Sequence, residues 1–240
     1  MKTYKKQNSL NYQKENSMDG KRLIKTAIVI LLLSLSFISC GTDTDVTKIT
    51  DESNSSVLTD SQKFALSYMW HEEKLAYDVY KVLGDMHDVR QMSNITKSEI
   101  KHMESVRSVI ETYNLDITNL SDEEAGYSEE VLLSMPLGEY SVEKIQNLYD
   151  ILYDKGKNSP QDALEVACMV EVTDIDDLAN FLEDEELPQD IKDSFTNLIE
   201  GSYKHYWAFD NGLKNLGIED GCCSLDVIDG VDYCHSEYPK

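Results

Sequence analysis

The chain has 240 residues, with 45 acidic and 22 basic side chains, and its formal net charge at pH 7 is −23. A surface of this sign repels a phosphate backbone, which argues against a nucleic-acid partner. The part between residues 60 and 216 is long enough to bury one hydrophobic core.

Residues 1–39 are predicted to be a lipoprotein-type signal peptide. Basic residues at 21–25 precede an apolar run that is short for a membrane span and ends in a small residue followed by Cys40. This junction resembles a bacterial lipobox, which makes Cys40 the expected site of lipidation. An uncleaved signal anchor and a secreted protein cut nearby are the alternatives.

The expected location is therefore the bacterial cell envelope, outside the cytoplasm. A lipid would hold the protein to a membrane, with the chain facing the periplasm or the cell surface. Residues 40–58 are rich in Asp, Ser and Thr without an apolar period, and we expect a disordered tether there. The helical domain is predicted over 59–216 and a cysteine-containing tail over 217–240. Met18 is an alternative to Met1 as the start of translation.

Five later stretches have the pattern of amphipathic helices, with apolar residues spaced alternately three and four apart. Four of these stretches are the bundle helices. The fifth, an extra helix, lies in the long link between the second and third bundle helices, and a crossover between two helical hairpins requires such a link. No sustained alternation predicts a strand. The fold class is therefore all-α, a four-helix bundle with one extra helix. In chain order the stretches are Ser61 to Met86, Asn94 to Tyr113, Ser141 to Lys157 (the extra helix), Ser159 to Leu182 and Pro188 to Leu216.

Each of the four bundle helices places an ionisable residue in the middle of its apolar face. Burying such groups without a partner costs several kcal/mol each. In an antiparallel bundle these positions would meet at one level of the core, where a pair of metal ions could bind them all. The residues are Glu73 in the first helix, Glu99 and His102 in the second, Glu171 in the third and His205 in the fourth.

Periodicity alone leaves some acidic residues open. Glu72 is an alternative to Glu73, because a helical period does not resolve neighbours, although Glu73 aligns better with the apolar face. The acidic residues Asp174, Asp176 and Asp177 and the run at 183–186 are typical of a solvated helix face. Only carboxylates on the apolar face are therefore taken as candidate ligands.

This distribution of Glu and Glu-x-x-His over four helices resembles the ligand pattern of the ferritin-like di-iron carboxylate proteins. More narrowly, the chain resembles the bacterial and archaeal family called domain of unknown function 2202. The resemblance implies a ferritin-like bundle and a metal centre, and that family brings no settled activity. Two irons or manganeses, an unlike pair of ions, or one occupied and one labile site all fit the ligand set. It is carried by the strings His71 to Tyr80, Ser98 to Met103, Val170 to Leu178 and Gly201 to His205.

The chain departs from the symmetrical ferritin-like ligand set at one position. Ser202 stands where the second Glu-x-x-His pair would have its Glu, and Asp174, one turn after Glu171, is the candidate replacement. Such a ligand set suits hard to borderline divalent ions. The predicted metal ligands are Glu73, Glu99, His102, Glu171, Asp174 and His205.

Two functions from different classes stay open. One is a metal-binding envelope lipoprotein with oxidase, peroxidase or metal-handling activity. Because the chain lacks the paired Cys-x-x-Cys motifs of a rubredoxin-like donor, its electron donor would be a separate protein. The other is a non-catalytic binding or adaptor lipoprotein in which the same residues form a metal-free buried network. The sequence gives no indication of the oligomeric state.

The cysteines after the last helix, Cys222, Cys223 and Cys234, are candidates for a disulfide that fastens the end of the chain in an oxidising compartment. Together with His235 they are an alternative site for a soft metal, although their spacing fits no standard zinc motif well. Cys168, one turn before Glu171, is interpreted as a packing residue in the third bundle helix.

Overall fold

The computed structural model describes residues 58–115, 130, 134–140, 143–228 and 230–240. These residues form five α-helices, a short 3₁₀ helix and no strand, which confirms the predicted all-α class. No helix in the described ranges is both long enough and apolar enough to cross a membrane. The helices are α1 (Asp60–His87), α2 (Arg90–Thr112), α3 (Glu143–Gly156), α4 (Pro160–Leu182) and α5 (Gln189–Asn215).

The helix boundaries follow from local capping chemistry. α1 begins with a capping box, in which Thr59 accepts a hydrogen bond from the Gln62 backbone and the Gln62 side chain accepts one from the Thr59 backbone. α4 begins as predicted, because Ser159 caps its first turn and Pro160 occupies the first position. α5 ends just before Gly217, which has a φ of +90° that glycine adopts readily.

The four long helices form the predicted ferritin-like bundle of two hairpins. α1 packs against α2 and α4, and α5 packs against the same two helices. Gln62 near the start of α1 contacts Asp184 just beyond the end of α4, and Tyr113 after α2 contacts Asp190 at the start of α5. These contacts show that the neighbouring helices run antiparallel.

α2 begins at Arg90, earlier than the predicted Asn94. The turn between α1 and α2 is tight, with Asp88 in the left-handed region at a φ of +54°. Gly84 on α1 lies so close to α2 that a Cβ there would stand 2.9 Å from the Cβ of Met92. The close approach buries Met92 and draws the first turn of α2 into the bundle.

α3 lies in the crossover between the hairpins and packs on the outside of α1 and α4. Its last residue, Gly156, contacts the side chain of Leu83, and its backbone carbonyl is 3.0 Å from His87 Nε2. A salt bridge between Lys155 and Glu165 links it to α4. The extra helix is therefore attached at the end of the bundle where α1 finishes.

The tail folds back onto α5. Tyr206 donates a hydrogen bond to the Tyr233 carbonyl, and Trp207 donates one to the Pro239 carbonyl. Two disulfides hold the tail, Cys223–Cys234 within it and Cys168–Cys222 between α4 and the 3₁₀ helix.

The disulfides correct two interpretations. Cys168 is one half of a disulfide rather than a packing thiol, because the 3₁₀ helix, which packs on α5, brings Cys222 next to it. The soft-metal alternative for the tail needs thiolates, and Cys222, Cys223 and Cys234 are all oxidised.

The N-terminal predictions fall almost wholly outside the described residues. Three of these predictions lie outside the described residues: the signal peptide at 1–39, the lipidation site Cys40 and the tether up to residue 57. Leu58, the last residue of the predicted tether, is buried against the bundle core. The helical domain and the tail are the parts from which a site can be built.

Candidate metal centre

The bundle interior is apolar at both ends and polar in the middle. On α1, Glu73 lies between the buried Leu66 and Leu83, and on α5, His205 lies between the buried Phe195 and Leu213. The polar level is made by the six residues predicted as ligands, which we call the Glu-His centre: Glu73, Glu99, His102, Glu171, Asp174 and His205.

The contacts of the Glu-His centre pass from helix to helix around the bundle. His102 Nδ1 on α2 lies 3.1 Å from Glu73 Oε2 on α1. His205 Nδ1 on α5 lies 3.0 Å from Glu99 Oε1 on α2 and 3.5 Å from Glu171 Oε1 on α4. All four bundle helices therefore contribute to one site.

Glu99 is the middle of this arrangement. Its Oε2 lies 3.0 Å from His102 Nδ1 and its Oε1 lies 3.0 Å from His205 Nδ1. The two imidazole rings are nearly parallel, with centroids 5.4 Å apart. One potential ligand atom from each of these three residues lies within 4.8 Å of the other two. One carboxylate thus spans two imidazoles, each of which has a second carboxylate beside it.

Several buried atoms of this region have no hydrogen-bond partner. Although His205 Nδ1 and Glu99 Oε1 are 3.0 Å apart, they are not aligned for a hydrogen bond. Buried polar atoms in proteins are nearly always paired, and leaving one unpaired costs about 1–3 kcal/mol. Of the six such atoms among the described residues, five lie here: Glu72 Oε2, Glu73 Oε1, Glu99 Oε1, Asp174 Oδ1 and His205 Nδ1.

Burial and mutual charge shift the pKa values of the centre in opposite directions. Burial acts to raise the pKa of Glu99, but hydrogen bonding to His102 and the charge of His205 outweigh it and lower the pKa to about 2. Burial acts to lower the pKa of both imidazoles. The neighbouring carboxylates outweigh it, so that the pKa of His102 rises to about 11 and that of His205 to about 10.

The outer carboxylates behave differently from Glu99, because each has one imidazole beside it rather than two. Burial raises the pKa of Glu73 and of Glu171. Burial and the charge of Glu171 raise the pKa of Asp174 to about 7. Without a metal ion, burial therefore favours the neutral form of these outer carboxyls, and Glu99 is the carboxylate whose charge the two imidazoles stabilise.

Two hydroxyl groups orient the carboxylates. Tyr80 is fully buried, packs on Phe209, and donates a 2.6 Å hydrogen bond to Glu171 Oε1. Ser202 donates a 2.5 Å hydrogen bond to Asp174 Oδ2. The serine at the position of the missing Glu thus holds the aspartate suggested as its replacement. The helical period places both residues on the apolar faces, but it does not show which group a hydroxyl contacts, so the sequence did not identify them as donors.

Gly201 makes room for one of the imidazoles. A Cβ at this position would lie 2.6 Å from both Cε1 and Nε2 of the His102 ring. Glycine in the middle of a helix is unfavourable by about 0.5–1 kcal/mol relative to alanine. At Gly201 the absent side chain lets α5 pass directly over the ring.

The two neighbouring glutamates of α1 are both buried but point to different groups. Glu73 contacts His102, whereas Glu72 lies against Tyr68 and Asp177. Asp177 accepts a 3.2 Å hydrogen bond from Tyr68, and burial raises its pKa to about 6. The interpretation of Asp174 and Asp177 as parts of a solvated face is wrong, because α1 covers this side of α4.

The sequence matches a protein-family model described as an uncharacterized protein domain, DUF2202, over residues 62–226. A relative, uncharacterized protein MJ0754 from Methanocaldococcus jannaschii, is 34% identical over 160 residues, which are 67% of this chain and 79% of the relative. The crystal structure of hypothetical protein MJ0754 matches with a TM-score of 0.57 at 32% identity, over 71% of this chain and 87% of that chain. The family model spans more than half of the sequence, and the chain belongs to the DUF2202 family.

Proposed function

We propose that the protein binds a pair of first-row divalent metal ions, iron or manganese, in the Glu-His centre. The observation that carries the proposal is the set of buried, unpaired ligand atoms on Glu73, Glu99, Asp174 and His205. Carboxylate oxygens and imidazole nitrogens are the donors that these ions take in proteins. A metal pair would occupy the unpaired positions that the chain leaves open.

The residues that would hold the ions are Glu73, Glu99, His102, Glu171 and His205. Glu99 is the central one, because each of its oxygens faces a different imidazole. With neutral imidazoles, the carboxylates of Glu73, Glu99, Glu171 and Asp174 balance the charge of two divalent ions. Ser202 and Tyr80 would keep the outer carboxylates in place.

A carboxylate-bound iron pair supplies redox chemistry toward dioxygen or peroxide, and we extend the proposal to oxidase, peroxidase or metal-handling activity. The chain's own part is to hold the ligands in a core where Glu73, Glu99 and Glu171 are each about 2% exposed, which restricts water. Tyr80 keeps a hydroxyl proton next to Glu171. An electron donor would be a separate protein.

The proposed setting is the bacterial cell envelope. A lipid on Cys40 would anchor the chain, which would place the bundle outside the cytoplasm. The support for this setting is the N-terminal sequence pattern together with two disulfides in the described domain, because disulfides persist in oxidising compartments. Mass spectrometry of the N-terminal peptide from membranes would detect a lipidated Cys40, and an unmodified Cys40 would contradict the anchor.

The test of the metal centre is elemental analysis of the purified protein. We expect two iron or manganese ions per chain after loading and dialysis. Glu99→Gln keeps the side-chain shape but removes the charge of the central carboxylate, so the content should fall below one ion. Glu104→Gln, an exposed change on the same helix, is the matched control and should retain two.

The competing function is a metal-free helical adaptor. Its support is that the carboxylates raise the pKa of both imidazoles, so that protonated His102 and His205 give the core internal ion pairs. If the wild-type protein and Glu99→Gln both remain without metal under every loading condition, the adaptor interpretation replaces the metal centre.

A further inference from the structure

The Glu-His centre is not enclosed equally on all sides. The side chains of its three glutamates, Glu73, Glu99 and Glu171, are 2–3% exposed. The imidazoles are more accessible, since the side chain of His205 is 9% exposed and that of His102 is 12% exposed. His102 lies on α2 and His205 on α5, and these two helices pack against each other. The imidazole side of the centre, between α2 and α5, is therefore nearer to solvent than the glutamate side.

The ring of His102 extends from the buried carboxylates toward this side. Its Nδ1 lies 3.1 Å from Glu73 Oε2 and 3.0 Å from Glu99 Oε2. Its Nε2, on the opposite edge of the ring, lies 3.4 Å from Ser98 Oγ. The same edge lies over Gly201 on α5, where a Cβ would be 2.6 Å from Cε1 and Nε2. Ser98 and Gly201 are both partly exposed, so one imidazole separates the carboxylates from the protein surface.

The two sides of the His102 ring along α2 differ. One turn after His102, Ser105 Oγ lies 3.0 Å from Ser194 Oγ on α5, and this hydrogen bond ties the two helices together. Ser194 is buried, so the contact between the helices is closed there. One turn before His102 stands Ser98, whose short side chain contacts the ring at its partly exposed edge. An opening between α2 and α5 is therefore expected on the Ser98 side of the ring.

We infer that metal ions and small oxidants reach the Glu-His centre between α2 and α5, past Ser98 and Gly201, with the His102 ring as a movable barrier. We call this path the α2–α5 route, and it rests on the proposed metal centre. The ring fills the space above Gly201 so closely that a methyl group does not fit beside it, so an ion passes only when the ring swings aside. An organic substrate would need a wider opening. The substrates that this route admits are therefore ions and very small molecules such as peroxide.

A barrier on the path has a kinetic signature that a change in the ligands does not have. Entry and exit cross the same barrier, so raising it slows uptake and release by the same factor. The equilibrium between bound and free ion stays unchanged. Damage to a ligand instead speeds release and lowers the amount of metal bound. Measuring both rates therefore separates the α2–α5 route from the Glu-His centre.

The experiment is timed loading of the metal-free full chain with Mn²⁺, followed by timed release into excess chelator. Samples are desalted at intervals and their Mn²⁺ content is measured by elemental analysis. Ser98→Leu places a larger side chain beside the His102 ring. We expect uptake and release to slow equally, by about tenfold, because the leucine is crowded whenever the ring swings aside. The final Mn²⁺ content should remain at the wild-type value.

Ser108→Leu is the matched control. It makes the same change at an exposed position of α2 and should leave both rates at their wild-type values. Ser98→Ala keeps a small side chain beside the ring and should slow neither rate. If Ser98→Leu fails to fold, Ser98→Val is a smaller obstruction at the same position and should slow uptake and release equally, by a smaller factor than leucine.

The failure of the α2–α5 route can be told apart from failure of the Glu-His centre. Wild-type rates in both Ser98→Leu and Ser98→Val would overturn the route and leave the centre in place. Faster release with a lower Mn²⁺ content would also overturn it, because the new side chain would then act on the ligands rather than on the path. A wild-type chain that binds no Mn²⁺ after prolonged loading would reject the centre, and the route with it.

Discussion

α1 carries two buried polar clusters that differ in how completely the chain pairs them. In the first, Asp78 Oδ2 accepts hydrogen bonds from Lys74 Nζ at 2.6 Å, Tyr140 Oη at 2.6 Å and the Gly138 backbone at 3.1 Å. In the second, the Glu-His centre, ligand atoms on Glu73 and its neighbours are left without partners. The first cluster is fully paired within the chain, whereas the second leaves buried donor and acceptor atoms unpaired.

The largest effect on the free energy of unfolding should come from breaking the fully paired Asp78 cluster. Asp78→Asn leaves the Lys74 ammonium buried without its counter-charge, and losing one partner of a buried ion pair costs about 3–5 kcal/mol. Chemical denaturation should show this loss equally with chelator and with Mn²⁺. Asp85→Asn, which breaks the exposed Lys81–Asp85 pair on the same helix, should cost only about 0–1 kcal/mol. A loss that depended on metal would contradict the contrast between the two clusters.

A smaller effect on the free energy of unfolding, one that depends on metal, should come from the Glu-His centre. With metal at about 100 times its dissociation constant, binding should add about 2.7 kcal/mol to the free energy of unfolding. In chelator, His102→Ala should cost the ion pairs of the protonated imidazole with Glu73 and Glu99. With metal it should cost this amount and the binding increment as well. His235→Ala in the tail is the control and should keep the full metal dependence. Equal destabilisation by His102→Ala with and without chelator would indicate a structural network.

The sequence pattern predicts much of this centre because its ligands follow the helical period. Glu73, Glu99, His102, Glu171 and His205 occupy positions where an apolar residue is expected, and the same period that gives the helices brings these positions to one level. The structure places all five there, each helix supplying at least one.

Other features depend on tertiary contacts that periodicity does not encode. Glu72 and Asp177 lie beside the apolar faces, and only the packing of α1 on α4 buries them. Cys168 pairs with Cys222, 54 residues later, because the 3₁₀ helix packs on α5 beside α4. Tyr80 is one of 14 tyrosines, and its role depends on a single hydrogen bond across two helices.

That hydrogen bond gives a third prediction. Tyr80→Phe keeps the packing against Phe209 but removes the donor to Glu171. Loss of a group that orients a ligand typically weakens metal binding about 10–100-fold. Competition with a chelator of known affinity should show this loss. Tyr77→Phe, a less buried change on the same helix, should leave the affinity unchanged. An equal loss of affinity in both variants would mean that Tyr80 has no specific role in orienting Glu171.

The smallest effect on stability should come from Gly201. Gly201→Ala forces the His102 ring to move, since the new Cβ would lie 2.6 Å from it, and overpacking of this kind costs about 1–3 kcal/mol. The better helix propensity of alanine returns about 0.5–1 kcal/mol of that. Thermal unfolding in chelator should therefore change little, while metal affinity falls because His102 no longer faces Glu73 and Glu99. Glu200→Ala, at the exposed neighbouring position, should retain metal affinity. An unchanged affinity in Gly201→Ala would mean that the position of this ring is not needed for binding. The carboxylates alone would then account for the metal affinity.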